Sequence, residues 1–244
     1  MKILLTTDLY TPAINGVVTS TVSLKKALEK LGHDVRVLTL ADYGYINQAD
    51  NIYAVSSINI DKVYPGARVK LFSDRSIIRD ILEWRPDIIH TQSEFSTFRM
   101  AKHLAEYLNV PIVHTYHTIY EDYTHYFSPS KRTGRKMVSL FTKRVLNDTE
   151  AVIAPTNKVH RILEKYGVEQ PIDVIPTGIQ LERFEEVISQ EERQAIRAQY
   201  DIPKDALILL SLGRLGKEKN IEEILFYLSL LKQDVYFLIV GDGP

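Results

Sequence analysis

The chain has 244 residues, 45% of them hydrophobic, and its 30 Lys plus Arg against 31 Asp plus Glu leave a formal charge of -1. That length holds one large domain or one and a half smaller ones with buried cores, and the charge balance excludes a polybasic nucleic-acid binder, so any electrostatic partner must be read from local patches. With no cysteine, disulfides, thiolate catalysis and cysteine-bound zinc are excluded together, which fits a reducing compartment.

The opening run Met1 to Asp8 is too short for a signal peptide, and no apolar stretch reaches the roughly 20 residues of a bilayer span. The expected location is therefore cytoplasmic, with any membrane contact peripheral. Runs rich in β-branched residues predict strands over 2–7, 34–40, 52–56, 87–91, 111–117, 151–155 and 173–176. They alternate with helical-period segments over 19–31, 74–83, 97–108, 131–146 and 158–166, the pattern of an α/β parallel sheet with helices on both faces. In the first helix Val18, Val22, Leu24, Leu28 and Leu31 make one apolar stripe, Thr19 or Ser20 is the expected N-cap, and Gly32 ends the helix as a left-handed cap. After Pro176-Thr177-Gly178 a charged stretch, 182–201, lacks strand character and reads as part of a linker. The expected organisation is a first domain over 1–178, a linker over 179–205, and the start of a second domain over 206–244 with a strand at 207–212, a helix at 220–231 and a strand at 236–240. Two strands and one helix bury too little surface to offset chain entropy, so the second domain is expected to be truncated here.

Open parallel sheets bind ligands beyond the carboxyl ends of their strands. The first such loop, Asp8 to Ser20, carries Gly16 and Val17, where a ligand phosphate can approach the backbone and meet free N–H groups of the next turn. It lacks G-x-G-x-x-G, which argues against a nicotinamide or flavin site. His114-Thr115-Tyr116-His117-Thr118-Ile119-Tyr120-Glu121-Asp122-Tyr123, with His125 nearby, crowds histidines and carboxylates at a strand end, which suits a polyhydroxylated substrate or a metal. Three residues along a strand put His114 and His117 on opposite faces unless the chain turns between them, and no Asp-x-Asp occurs to hold a divalent ion on a sugar diphosphate. The expectation is no metal and no cofactor. Gly213-Arg214-Leu215-Gly216-Lys217-Glu218-Lys219-Asn220 follows another strand and opens a helix; its glycines and cations suit a diphosphate, with a solvated basic turn as the plain alternative.

Asp8-Leu9-Tyr10-Thr11-Pro12 with Asn15-Gly16-Val17, then Pro86-Asp87-Ile88-Ile89-His90-Thr91-Gln92, the strand end at His117, Pro176-Thr177-Gly178-Ile179, Gly213-Arg214-Leu215 with Lys219-Asn220, and Gly241-Asp242-Gly243-Pro244 together resemble, in order, the large fourth family of retaining glycosyltransferases. The resemblance runs the length of the chain. It departs at Gln180, where aspartate is usual, and the family's Glu-x7-Glu motif does not occur before Pro244. It implies a GT-B fold of two Rossmann-like domains, a nucleotide-diphosphate-sugar donor as substrate, and no metal. It places Gly16 and Val17, with Gly241 and Gly243, on the donor side, His117 near the donor sugar, and Arg214 and Lys219 on the diphosphate.

From Lys131 to Asn147 there are six cations and no acid: Lys131, Arg132, Arg135, Lys136, Lys143 and Arg144 are interleaved with Met137, Val138, Leu140, Phe141, Val145 and Leu146. A basic amphipathic helix of this kind suits an anionic membrane surface, or packs on a core with its cations solvated. Tyr116, Tyr120, Tyr123 and Tyr126 suit a bilayer interface or a sugar face. The 117–123 tract with the 15–20 loop resembles most the subgroup that moves glucose from UDP-glucose to diacylglycerol. That likeness implies a lipid acceptor, with Glu94, Phe95, Tyr120 and Glu121 on the acceptor side, and a protein on the inner face of the cell membrane. A soluble sugar acceptor, a sugar-nucleotide epimerase and a non-catalytic membrane scaffold are the alternatives; acceptor choice at this level rests on analogy.

Overall fold

The computed structural model describes residues 1–47, 49–59, 68–70, 74–121, 124, 128, 130–179, 181–185 and 187–243. The chain divides into two compact units, Met1–Gln180 and Leu181–Pro244. Tyr123, His125 and Tyr126 lie outside the described residues.

The first unit is built on one sheet of strands β1 (Lys2–Thr6), β2 (Asp34–Ala41), β3 (Tyr45–Asn47), β4 (Ile52–Asn59), β5 (Arg68–Lys70), β6 (Ile88–Thr91), β7 (Ile112–Thr115), β8 (Ala151–Ala154) and β9 (Ile172–Val174). Their spatial order is β3-β4-β2-β1-β6-β7-β8-β9, with β5 on β4. The main run is parallel, whereas β3 and β5 pair antiparallel with β4. Helices α1 (Gly16–Lys30), α2 (Arg75–Trp84), α3 (Ser96–Leu108), α4 (Lys131–Leu146) and α5 (Asn157–Lys165) complete the unit.

Side-chain alternation along the central strands divides the core between two faces. Leu4, Leu38 and Leu40 join Ile77, Ile81 and Trp84 of α2 and Met100 and Leu104 of α3, while Ile3, Leu5, Val35 and Val37 pack against Val22, Leu24 and Leu28 of α1. A further cluster unites Val138, Val145 and Leu146 of α4 with Val152 and Ala154 of β8 and Val159 and Leu163 of α5.

Several expectations are corrected. The first helix begins at Gly16, and its N-cap is Asn15, whose side chain accepts from the N–H of Val18 at 2.9 Å. Leu31 is the C-cap and is 72% exposed, so it leaves the stripe, while Gly32 takes the left-handed φ of 84°. The strand predicted over 111–117 stops at Thr115, freeing the chain to turn before His117. Strands β3 and β5 are three residues each, too short to display a period.

In the second unit, β10 (Leu207–Leu212) and β11 (Val235–Val240) pair in parallel around α7 (Ile221–Ser229). Within the stretch read as linker, residues Gln190–Gln199 form a helix, α6, closed by a capping box between Ser189 and Glu192. The helix has no buried residue, hence no apolar stripe. Ile202 is the one buried residue among the unit's described ones, and Leu209, Leu210 and Leu212 of β10 are exposed.

Helix α4 docks through Gly134, where an added Cβ would stand 2.8 Å from Thr124 Cβ and 3.2 Å from Ser128 Cβ. Alanine at a helix interior gains about 1 kcal/mol over glycine, but overpacking a tight contact costs typically 1–3 kcal/mol. Gly134→Ala is therefore expected to lower the urea unfolding midpoint; a raised midpoint would show that Thr124 yields.

Candidate active site

Strand order runs from β1 through β2 to β4 on one side and from β1 through β6 to β9 on the other. Such a reversal opens a crevice beyond the carboxyl ends of the two strands that flank it, here β1 and β6, with β7 adjacent. The segments that leave these strands carry Thr7 and Asp8, Gln92 to Glu94, and Tyr116 and His117.

Asp8 Oδ1 accepts from the backbone N–H and from the hydroxyl of Thr97, each at 2.8 Å. Thr97 lies in the first turn of α3, whose own N-cap position, Phe95, supplies no side-chain bond; the carboxylate thus caps α3 from across the sheet. Burial nevertheless outweighs these bonds and pushes the Asp8 carboxyl up to about 6, and the nearby charge of Glu94 adds to the rise.

Glu94 is 7% exposed. One oxygen accepts from the Tyr120 hydroxyl at 2.6 Å, and the other stands 3.5 Å from Nε2 of the buried His114. That second pair falls short of hydrogen-bond geometry, and neither atom has another hydrogen-bond partner among the described residues. Burial, with Glu94 beside it, drives the Tyr120 hydroxyl far above the ordinary tyrosine range. Three histidines take partners across β6 and β7: His90 Nε2 lies 2.7 Å from Thr115 Oγ1, His114 Nδ1 2.7 Å from Thr91 Oγ1, and His117 Nε2 2.8 Å from Gln92 Oε1. Burial depresses His90 to about 3 and His117 to about 4, so both rings are neutral near pH 7. The result is a cluster of buried carboxyls, neutral imidazoles and amide groups at the strand ends, suited to hydroxyls rather than to a strong charge. Among the described residues no group of three or more His, Cys, Asp or Glu is placed to hold a metal ion.

Of the residues singled out in the sequence, Glu94, Tyr120 and His117 gather in this crevice, and Phe95 borders it with its ring 6.0 Å from Tyr120. Glu121 is held instead by Arg135 of α4 at 3.3 Å. Tyr116 is fully buried, its hydroxyl 3.3 Å from Thr142, which corrects its expected place at a bilayer interface or sugar face. Gly16 is the first residue of α1, where an added Cβ would meet open space, and Val17 is half-buried.

In the second unit, Gly213 to Lys219 follow β10, and residues Lys217–Lys219 form a 3-10 turn ahead of α7. Arg214 and Lys219 are exposed there. Gly241 and Gly243 have a packing reason of their own: a Cβ on them would stand 1.8 Å from Gly213 O and 2.2 Å from Leu215 O. This close approach lets Gly213 N–H bond Val240 O and Leu215 N–H bond Asp242 O, each at 2.9 Å. On α4, Lys143 pairs with Glu169 at 3.1 Å and Arg135 with Glu121, while Arg132, Lys136, Leu140 and Arg144 are exposed and, four residues apart, form one ridge.

Sequence reasoning gives no individual role to Asp8 or Gln92, which lie just past the ends of β1 and β6, the position that the sheet rule marks; it reads His114 with His117 as a contact for a polyhydroxylated substrate or a metal, and the structure places His114 inside β7, fully buried. A cavity of about 660 Å³ at the opposite, N-terminal end of the sheet is no competitor: the Lys2 ammonium already bonds Trp84 O at 2.8 Å, and Asp34 accepts from Trp84 Nε1 at 2.7 Å.

The raised Asp8 carboxyl fixes a pH dependence. The unfolded group ionises near the ordinary aspartate value of 3.8, whereas the folded one holds its proton to about 6. Its contribution is fully present below 3.8, is lost as pH rises through that window, and levels off above. Asp8→Asn keeps an acceptor for Thr97 without the ionisation, so its stability relative to wild type should grow by about 2 kcal/mol between pH 4 and 7. A gap that does not change with pH would contradict this.

Residues 14–183 match the sequence profile of Glycosyltransferase Family 4. An alpha-monoglucosyldiacylglycerol synthase of Streptococcus pneumoniae is 36% identical, over all of this chain and 56% of its own length. Its namesake from Acholeplasma laidlawii is 30% identical, over all of this chain and 64% of its own. The chain thus spans roughly three-fifths of these relatives. Among solved structures, Anabaena HepE in complex with UDP and glucose superposes with a TM-score of 0.68 at 16% identity, covering all of this chain and 62% of the other, a likeness of fold. With the doubly wound sheet and a family profile that covers most of it, the chain belongs to Glycosyltransferase Family 4.

Proposed function

We propose that the full-length protein is a retaining hexosyltransferase that moves glucose from UDP-glucose to a lipid such as diacylglycerol at an anionic membrane surface. The observation that carries this reading is the continuity between crevice and basic helix. Tyr120 bonds Glu94, Phe95 meets Tyr120 edge-on, and Phe95 stacks on Phe141 of α4 with ring centroids 5.7 Å apart. Phe141 stands beside Leu140 and Met137, which are 61% and 53% exposed, next to the ridge of Arg132, Lys136 and Arg144. A hydroxyl at the end of an acyl-bearing molecule would meet Glu94 and Tyr120 while its chains stay against the aromatic and aliphatic side chains. The identity to two alpha-monoglucosyldiacylglycerol synthases supports glucose as the sugar and diacylglycerol as the acceptor. No helix among the described residues is long and apolar enough to cross a membrane, so the contact proposed is peripheral, on the inner face of the cell membrane.

In this reading the chain's groups act on charge and position. Arg214 and Lys219 bind the diphosphate and stabilise the negative charge that develops as it departs. The open space at Gly16 accommodates the donor phosphates, with Val17 beside them. His117 contacts the donor sugar. The departing β-phosphate helps to take the acceptor's proton on the face it leaves, which retains the anomeric configuration.

The test is to incubate the full-length protein with UDP-glucose and liposomes of diacylglycerol and an anionic lipid, and to analyse the lipids by mass spectrometry. A hexosyl-diacylglycerol is expected; UDP release without it would move the acceptor to soluble sugars, and no UDP release from any common nucleotide sugar would favour a scaffold. Arg214→Ala or Lys219→Ala should lower turnover about a hundredfold, and a loss under about threefold would refute the assignment. Each cation at an anionic surface contributes about 1 kcal/mol, so exchanging Arg132, Lys136 and Arg144 for glutamine should weaken liposome partitioning by roughly a hundredfold. Unchanged partitioning in a sedimentation assay would remove α4 from the membrane contact.

A further inference from the structure

We propose that Gln92 is a positioning residue: its side-chain carbonyl holds the ring of His117 in the Nε2–H form, which makes Nδ1 the atom that accepts a hydroxyl of the bound sugar. The inference rests on the reading of His117 as a donor-sugar contact and adds which atom makes it, and why.

A carboxamide oxygen carries no proton, so the 2.8 Å contact between Gln92 Oε1 and His117 Nε2 requires the hydrogen on Nε2. In a neutral imidazole the other nitrogen is then a lone-pair acceptor. The ring is neutral over the physiological range because burial holds its pKa near 4. The other two histidines of the cluster differ in kind. His90 and His114 face the hydroxyls of Thr115 and Thr91, and a threonine hydroxyl rotates to donate or to accept, so neither partner dictates a tautomer. Gln92 does.

Its own placement is fixed. The residue is 2% exposed, and its backbone N–H donates to Thr6 O of β1 at 2.8 Å, which ties it to the crevice side of the β1–β6 pair. Gln92 Nε2 is buried and has no hydrogen-bond partner among the described residues. A buried donor left without a partner costs about 1–3 kcal/mol, a cost a purely structural amide has no reason to carry. A sugar oxygen or bridging water at the crevice would satisfy it, and the same ligand's hydroxyl would donate to Nδ1. The two side chains would thus contact two different groups of the ligand, the amide nitrogen donating to one and Nδ1 accepting from the other, with the amide oxygen fixing the ring plane.

The first measurement needs no variant and no substrate. Long-range proton–nitrogen correlation spectra of the chain labelled with 15N-histidine, with the His117 signals assigned by loss in His117→Gln, should show a protonated Nε2 and an unprotonated Nδ1. The opposite pattern, with the hydrogen on Nδ1, would mean that the amide nitrogen faces the ring and would overturn the proposal. The second uses the full-length protein with UDP-glucose and its monodeoxy analogues. Wild type should discriminate against one analogue by about tenfold or more in kcat/KM, as sites that bond a hydroxyl do. Gln92→Met should cut that discrimination to about twofold while the protein still unfolds cooperatively, and Gln92→Glu, which keeps an acceptor for Nε2–H but lacks the amide donor, should restore it in part. A Gln92→Met enzyme that loses rate equally for every analogue would reduce the contact to packing and overturn the proposal. A wild-type protein that turns over no nucleotide sugar, yet shows the expected nitrogen pattern, would sink the glycosyltransferase reading while upholding the tautomer.

Discussion

The pairing of β1 with a strand on either side governs where the chemistry can sit. Leu4 lies opposite Arg36 of β2 and opposite Ile89 of β6, so the two directions of the winding diverge from one strand. At its end Thr7 N–H bonds Leu38 O at 3.0 Å, and Gln92 N–H bonds Thr6 O at 2.8 Å; beyond these bonds the segments splay. A slip of one residue would exchange the faces of every side chain on the strand. Ile3 and Leu5 would leave the α1 side of the core, and Asp8 could no longer reach the first turn of α3.

That frame supports a cluster no stability argument would choose. Asp8, Glu94, His90, His114 and Gln92 are all under a tenth exposed, and their bonds to Thr97, Tyr120, Thr115, Thr91 and His117 leave Glu94 Oε1, His114 Nε2 and Gln92 Nε2 without hydrogen-bond partners among the described residues. Burying polar groups half-satisfied costs more than an apolar core of the same shape. Such exceptions to otherwise consistent packing gather at functional sites. Here neutral imidazoles and a carboxyl that titrates near 6 furnish donors and acceptors at modest charge, an environment fit for hydroxyls, while the cations proposed for the diphosphate stand in the other unit.

The parallel sheet was legible because its strands carry unbroken buried runs of apolar and β-branched residues such as Ile3 to Leu5 and Val37 to Leu40. Helix α6 went unread although Ser189 and Glu192 spell a capping box, because with no buried face it has no period to detect. Strands β3 and β5 owe their conformation to pairing with β4 rather than to their own three residues. At the site, residues after strand ends were visible as candidates, but direction was not. Glu121 stands one residue from Tyr120 yet bonds Arg135, and Tyr116, one residue before His117, turns fully into the core. The resemblance put Gly241 and Gly243 on the donor side, and the structure adds a packing reason for both, since backbone passes within reach of where their Cβ atoms would be.

One stereochemical fact bears on the proposed transfer, because a departing diphosphate that takes the acceptor's proton on the face it leaves delivers the sugar with its anomeric configuration retained. The proton NMR spectrum of the first product formed by the full-length protein from UDP-glucose, whose glucose is α-linked, reports it through the anomeric coupling. An α-glucosyl product is predicted. A β-glucosyl product would contradict retention, and would require a base placed opposite the leaving diphosphate instead of the same-face transfer proposed here.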